Sequence, residues 1–237
     1  IERPLKIAVI EDSPIGNRVE DSAKKALNRA VRFLQEKGHS IEKIQWPVDG
    51  IEVMKNYYIM NSVETAAMMD GIEKMVKRPL TKEDMELMTW GIYQSGQQIL
   101  AKDYSAALNQ WDYWTKQMQE CHEDYDVILT PCVNDVAPKH NRYPMRESIR
   151  EALESIEQFS VTEQQEIIWQ MFEKTLELTP YTQLANITGQ PAISLPIYCT
   201  QEGLPVGVQL MAAKGREDLL LQIAEVFEQE HQWNRKD

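Results

Sequence analysis

The sequence predicts an α/β fold, a mixed β-sheet flanked by helices and carrying a helical insertion. Three observations lead there. The chain opens with a strand, a helix and a second strand in succession. Residues 50 to 123 are helical in pattern almost throughout. The chain closes with two β runs joined by a tight turn, followed by an amphipathic helix. No internal repeat and no linker divides the sequence, so one α/β domain over residues 1–237 is expected, with the insertion at about 50–123.

Leu5 to Ile10 is a short apolar run rich in strand formers. It ends in Glu11-Asp12-Ser13-Pro14, residues that favour turns. Val19, Ala23, Ala26, Leu27, Ala30 and Leu34 then share one face at helical spacing, and Gly38 supplies the stop. Ile41 to Trp46 is a weaker strand closed by Pro47. Strand, helix and strand over this length imply a parallel βαβ unit with a right-handed crossover.

The helical stretch breaks at Pro79 and restarts at a capping box, Thr81 with Asp84. Asp103 is placed to cap the next helix, in which Ala107, Trp111, Trp114 and Met118 fall on one face. Seven of the eleven methionines lie between Met54 and Met88. They read as flexible core filling, or alternatively as a pliable wall for an apolar substrate.

Asp126 to Pro131 is a second buried-looking strand, and Asn134 to Pro144 a loop. Ile149, Leu153 and Ile156 mark a short helix. Thr162 with Gln165 forms a capping box ahead of a helix carrying Ile168, Phe172 and Leu176, which ends at Thr179-Pro180. Ala192 to Tyr198 and Leu204 to Met211 are strands joined by Thr200-Gln201-Glu202-Gly203. Val206, Val208 and Leu210 alternate with Gly207 and Gln209, as in a hairpin with one face buried. These two strands, with Leu5–Ile10 and Asp126–Pro131, are expected in one sheet. The last helix begins after Gly215 with Glu217 and Asp218 in its first turn, and Leu220, Ile223, Ala224 and Phe227 form its apolar face.

Composition narrows the function. Hydrophobic residues at 43% and charged residues at 26% are an ordinary globular mix. Twenty-five lysines and arginines against 37 aspartates and glutamates leave a net charge of −12, which repels phosphate backbones. The densest basic cluster, Arg235-Lys236, sits beside Asp237. No nucleic-acid partner is expected. No apolar run is long enough to cross a bilayer, so no membrane partner is expected either. Cys121, Cys132 and Cys199 are odd in number and widely spaced, which implies neither a disulfide framework nor a metal site. A reducing, cytoplasmic compartment is the simpler reading.

Standard catalytic signatures are absent. No glycine-rich dinucleotide or phosphate loop follows the first strand, where Gly16 stands alone. Around Ser95 the place of the first glycine in a nucleophile elbow is taken by Tyr93. Cys121-His122-Glu123-Asp124 is rich in potential ligands, but neighbouring residues on a helix point in different directions, so a solvated helix end is the better reading. Cys132 and His140, with Asp135, offer a thiol–imidazole pair whose geometry nothing in the sequence enforces. His39 and His231 fall at helix ends.

Four further blocks carry a resemblance. They are Thr179-Pro180, Asn186 to Pro196, Gly203 to Leu210, and Gly215 to Leu220. Together they resemble the C-terminal stretch of the amidase signature family hydrolases. Tyr125 to Pro131 with Ala137-Pro138-Lys139 is similar to that family's penultimate core strand and loop. Leu5 to Pro14 is similar to the strand that opens the second half of those enzymes. Asp103-Tyr104 and Ala107-Leu108 resemble a helical element ahead of the penultimate strand. The similarity is dense from 179 to 233, good from 125 to 139 and loose from 47 to 102. Within the loose part, Pro47 to Gly50 and Asn61 to Met68 resemble the branch that hydrolyses cyclic amide oligomers.

The resemblance implies an enzyme that cleaves amide C–N bonds with a serine nucleophile, a second serine and a lysine, and without a metal or organic cofactor. No run here matches the glycine- and serine-rich region that carries those groups, so the resemblance assigns no catalytic residue to this chain. With Ile1 as its first residue, the chain is expected to be the C-terminal portion of such an enzyme. That portion would supply scaffold and part of the substrate pocket and be inactive alone. The substrate-binding candidates are Thr130 and Cys132 beyond the core strand, and Asn186, Thr188 and Gly189 in the loop before the next. The expected partners are a small amide substrate, the N-terminal catalytic portion, and a second copy of the chain. The alternative is a non-catalytic α/β module that binds a small molecule or a partner chain.

Overall fold

The computed structural model describes Ile1 and residues 3–233; the Arg235-Lys236 cluster lies outside the described residues. In chain order the elements are β1 (Lys6–Val9), α1 (Asp21–Glu36), β2 (Ser40–Lys43), α2 (Gly50–Val76), α3 (Leu87–Gln98) and α4 (Ala101–Asp124). There follow β3 (Val127–Pro131), α5 (Glu147–Glu154), α6 (Val161–Leu176), α7 (Gln183–Thr188), β4 (Ala192–Cys199), β5 (Pro205–Ala212) and α8 (Glu217–Gln229). The chain forms two compact units. One comprises Ile1–Gly50, Asp112–His140 and the chain from Glu177 onward. The other comprises Ile51–Trp111 and Asn141–Leu176.

The first unit is built on one mixed sheet in the order β2-β1-β3-β5-β4. β1 runs parallel to both β2 and β3, while β5 is antiparallel to β3 and to β4. The four expected strands therefore share a sheet, and the last two form the antiparallel hairpin. β2 is shorter than the Ile41 to Trp46 run, and three of its four residues are exposed, in keeping with an edge strand paired on one side only.

β5 differs from the expected half-buried strand. Six of its eight residues are buried, including Gln209 and Met211 on the face that alternation had assigned to solvent. An interior strand is covered on both faces, and β5 lies between β3 and β4.

One sheet face presents Ile7, Val9, Leu129, Val208 and Leu210 to α1 and α8. All six residues of the expected stripe are buried, five of them on α1 and Val19 just ahead of it. Phe33 of α1 meets Phe227 of α8 with ring centroids 4.4 Å apart. At about 25 cal/mol per Å2 of apolar surface removed from water, such contacts dominate the stability of this layer.

The second unit is helical. Its core gathers Met69, Trp90, Tyr93, Ile149, Leu153 and Ile156. The capping box at Thr81 and Asp84 is present, on a single 3-10 turn rather than an α-helix. Two other caps depart from expectation. Ser160 and Glu163, not Thr162 and Gln165, form the reciprocal box at the start of α6. Gln165 instead donates to the hydroxyls of Ser62, at 3.1 Å, and Ser95, at 2.7 Å. Asp103 lies within the first turn of α4 rather than ahead of it. The methionines divide: Met54 and Met69 are buried, while Met68 and Met75 are exposed.

Candidate functional site

The sheet face opposite α1 and α8 is where polar side chains collect. Thr130 of β3 pairs in register with Gln209 of β5, and Gln209 pairs on its other side with Ser194 of β4. Directly opposed residues project to the same face, so these three form a polar row across three strands. Thr130 is fully buried, Gln209 is 4% exposed and Ser194 is exposed, so the row grades from core to solvent. The Thr130 hydroxyl donates to the Pro131 carbonyl at 2.8 Å. Gln209 Nε2 donates to the Tyr181 carbonyl at 3.2 Å.

Cys132 follows β3 and lies beside this row. Its N–H donates to the Gly207 carbonyl, extending the ladder by one bond. Gly207 faces Ser194: a Cβ added there would lie 2.9 Å from Ser194 Oγ, 3.2 Å from the Leu195 carbonyl oxygen and 3.6 Å from Cys132 Cβ. A side chain at Gly207 would thus meet the Ser194 hydroxyl first and the Leu195 backbone second. Cys132 is half-buried, Asp135 accepts from Ser22 Oγ and the Val136 N–H, and His140 is exposed. Among the described residues no hydrogen bond joins Cys132 to His140.

The other three candidates belong to α7 and its cap. Asn186 is exposed, Thr188 is buried, and Gly189 closes the helix in the left-handed region at φ +70°. A side chain at Gly189 would also press on Lys214, 3.1 Å from its Cε. The Thr188 hydroxyl donates to the Leu184 carbonyl at 2.9 Å and lies 3.0 Å from Gln190 Oε1. Gln190 is 8% exposed, and its Nε2 is buried without a partner. The structure therefore holds the candidates as two groups, with Gln209 reaching from the Thr130 row to Tyr181, just ahead of α7.

A second cluster sits at the carboxyl ends of β1 and β3, where open α/β sheets place ligands. Asn134 Nδ2 donates to the Arg18 carbonyl at 2.8 Å, its Oδ1 accepts from the Glu20 N–H at 3.3 Å, and its own N–H donates to the Leu178 carbonyl at 2.8 Å. Asn17 Nδ2 donates to the Glu177 carbonyl at 3.0 Å. Tyr181 is fully buried nearby, its hydroxyl 3.4 Å from the Glu11 carbonyl. Burial, reinforced by the Asp12 and Glu11 carboxylates, pushes its phenol well up. It is therefore a neutral, buried hydrogen-bond donor. Among the described residues, no three His, Cys, Asp or Glu side chains are gathered as a metal site would need.

Residues 1–221 match the family described as Amidase. The chain belongs to the amidase family. It is 35% identical over 230 residues to a lipoamidase of Enterococcus faecalis, covering 97% of this chain and 32% of that protein. It is 27% identical over 232 residues to the 6-aminohexanoate-cyclic-dimer hydrolase of Pseudomonas sp. (strain NK87), covering 97% of this chain and 44% of the relative. A structure of 6-aminohexanoate cyclic dimer hydrolase complexed with substrate superposes with a TM-score of 0.82 at 26% identity. It covers 98% of this chain and 46% of that one. The chain thus spans less than half the length of these amidase relatives.

Gln209, Ser194, Tyr181 and Asn134 were not among the residues singled out from the amidase-like sequence. Gln209 carried a signal, because a long polar side chain stands in a run whose other members are apolar or glycine. Asn134 and Tyr181 carried none, since their partners are backbone groups far away in sequence.

Proposed function

We propose that this chain forms the C-terminal portion of a hydrolase of amide C–N bonds and lines part of its substrate cavity. The family match over residues 1–221 carries the reading. The reaction is serine acylation followed by hydrolysis of the acyl-enzyme. The two serines and the lysine implied by the resemblance belong to an N-terminal portion, and this chain alone does not turn over amides. Its contribution is a wall made from Cys132 at the end of β3 and from Asn186 and Gly189 around α7, with the buried Thr130 and Thr188 holding it from behind. The named substrates of the relatives, lipoamide and a cyclic dimer of 6-aminohexanoate, favour an amide carried on an aliphatic chain. The three unpaired thiols, all half-buried, support a reducing, cytoplasmic setting.

The test is hydrolysis by the full protein of lipoamide, read as ammonia released, and of the 6-aminohexanoate cyclic dimer, read as the amino group freed on ring opening, against the same protein with Gly207→Val. A bulky group at Gly207 enters the space beside Ser194 and Cys132, so KM should rise more than kcat falls. Full-length protein that binds amides without cleaving any of them would leave the non-catalytic module as the better reading.

A further inference from the structure

On the sheet face opposite the Thr130 row, α1 lines a cavity of about 470 Å3. Lys25, Arg29 and Arg32, spaced at i, i+4 and i+7, place three cations along one side of it. Asn28 stands between them on the same helix. Tyr198 of β4 and Gln232, beyond α8, close the cavity from two other parts of the chain.

This arrangement is costly for the chain by itself. Like charges at i, i+4 repel along a helix. In a chain of net charge −12, carboxylates are abundant, yet among the described residues none pairs with Lys25, Arg29 or Arg32. Glu36 also lines the cavity, one turn beyond Arg32, and the two form no ion pair. The Gln232 amide, which also lines the cavity, donates to the Glu230 carbonyl at 3.2 Å. Among the described residues, three cations, two amides and a phenol therefore line one space with a single carboxylate, Glu36.

We propose that this cavity binds a phosphate or pyrophosphate group, free or carried on a small organic molecule. Guanidinium forks match such oxyanions in geometry as well as charge, and Lys25 adds a point charge. The amides of Asn28 and Gln232 and the Tyr198 hydroxyl complete the donor set around a multiply charged oxyanion. Bound anion relieves the repulsion within α1, and affinity falls as salt rises.

The experiment is calorimetric titration of the full protein, at low ionic strength, with inorganic pyrophosphate and separately with ADP. Both should bind, and Arg29→Ala and Arg32→Ala should each weaken binding about tenfold or more. Arg29→Lys should recover part of the loss, because charge without the fork is a partial replacement. Should an alanine variant fail to fold, Lys25→Gln tests the same site at an exposed position. Binding of pyrophosphate alone supports the site with the group taken up free; comparable binding of both supports it with the group read on any carrier. Absence of binding by either probe overturns the proposal. So does binding that all these substitutions leave unchanged, or binding of ADP alone, which would mean that the organic part is what is recognised. An oligo-aspartate peptide binding more tightly than both probes would overturn it in favour of an acidic chain.

Discussion

Gln209 donates from Nε2 to the carbonyl oxygen of Tyr181 across 3.2 Å, from a strand in which the residues before and after it, Val208 and Leu210, are buried and apolar. The bond fastens the segment ahead of α7 to β5, and through β5 to Thr130 and Ser194 on either side. A buried donor in such a place must keep its partner or be replaced together with it.

Gln209→Leu should therefore destabilise the protein by about 1–3 kcal/mol, because the Tyr181 carbonyl is left buried and unpaired. Gln209→Glu should cost more, since a carboxylate cannot donate to that carbonyl and would be buried beside it. Urea midpoints of the two variants and the parent check this; equal midpoints would show that the contact contributes nothing.

Asn134 predicts a different kind of loss. Three of its bonds tie the loops after β1 and β3 and the chain at Leu178 together. Asn134→Ala removes the two side-chain bonds and keeps the backbone one. The expected cost is about 1–2 kcal/mol, with hydrogen exchange rising first in residues 17–20 rather than in the strands. Uniformly faster exchange across the sheet would contradict a local role.

Close approach between helices gives a third prediction. A Cβ on Gly96 would overlap the Ser62 carbonyl oxygen and also press on Ala66 Cβ, 2.8 Å away. Helix α3 meets α2 there through backbone, which does not yield as a flexible side chain would. Gly96→Ala, which improves helix propensity, should nonetheless destabilise the protein by about 1–3 kcal/mol. A stabilising effect in thermal or urea unfolding would mean that the two helices stand further apart.

These positions show how much of the structure could be read from the sequence. Periodicity located all five strands and the buried stripe of α1, because a pattern of apolar side chains is local information. The chemistry of the α6 cap was local too, but Ser160 with Glu163 competed with Thr162 and Gln165 only two residues later. What decided between them was Gln165 reaching Ser62 and Ser95, contacts more than sixty residues away. The burial of β5 on both faces depended on its place between β3 and β4, a property of topology. The candidate site behaved likewise. Asn186, Thr188 and Gly189 come only through the amidase resemblance and are expected in a loop, whereas Asn186 and Thr188 lie on the short helix α7 and Gly189 caps it. Asn134 and Tyr181 act through backbone groups that no spacing reveals.

Stability should also depend on pH through two histidines. The Leu5 N–H donates to His39 Nδ1 at 3.1 Å, so that nitrogen is unprotonated in the fold. His122 Nδ1 donates to the Tyr125 carbonyl at 3.2 Å, leaving a bare, buried Nε2 with no partner. Burial is the main cause that lowers both imidazoles below their ordinary value of 6.5. The unfolded chain then takes up protons first as pH falls. The stabilisation is complete above about pH 6.5 and is lost as pH drops through the lowered folded values. Unfolding midpoints measured from about pH 7.5 down to about pH 5.5 should fall. His39→Asn, whose Oδ1 can still accept from Leu5, should flatten part of that slope; an unchanged slope would remove His39 from the account.

The last prediction concerns the chain on its own. β4 is the final strand of the sheet, eight residues long, with Ala192 and Ser194 exposed on the face of the polar row. Small side chains there do little to block another strand, and no charge lies among the eight residues of β4. Pro196 and the bulge between Leu195 and Tyr198 close off the second half of this edge, so the uncharged stretch 192–195 is what stays open to pairing with a further chain. The net charge of −12 opposes random aggregation but is a weak barrier to one specific pairing once salt screens it. The isolated chain should therefore self-associate, most simply as a two-fold dimer joined β4 to β4. Sedimentation over a dilution series should show the average mass falling with concentration, and Ser194→Lys should shift the chain toward monomer by placing a charge on the edge. A parent chain that remains monomeric at the highest concentration reached would exclude pairing through β4, and a lysine variant that associates as strongly as the parent would move the contact elsewhere.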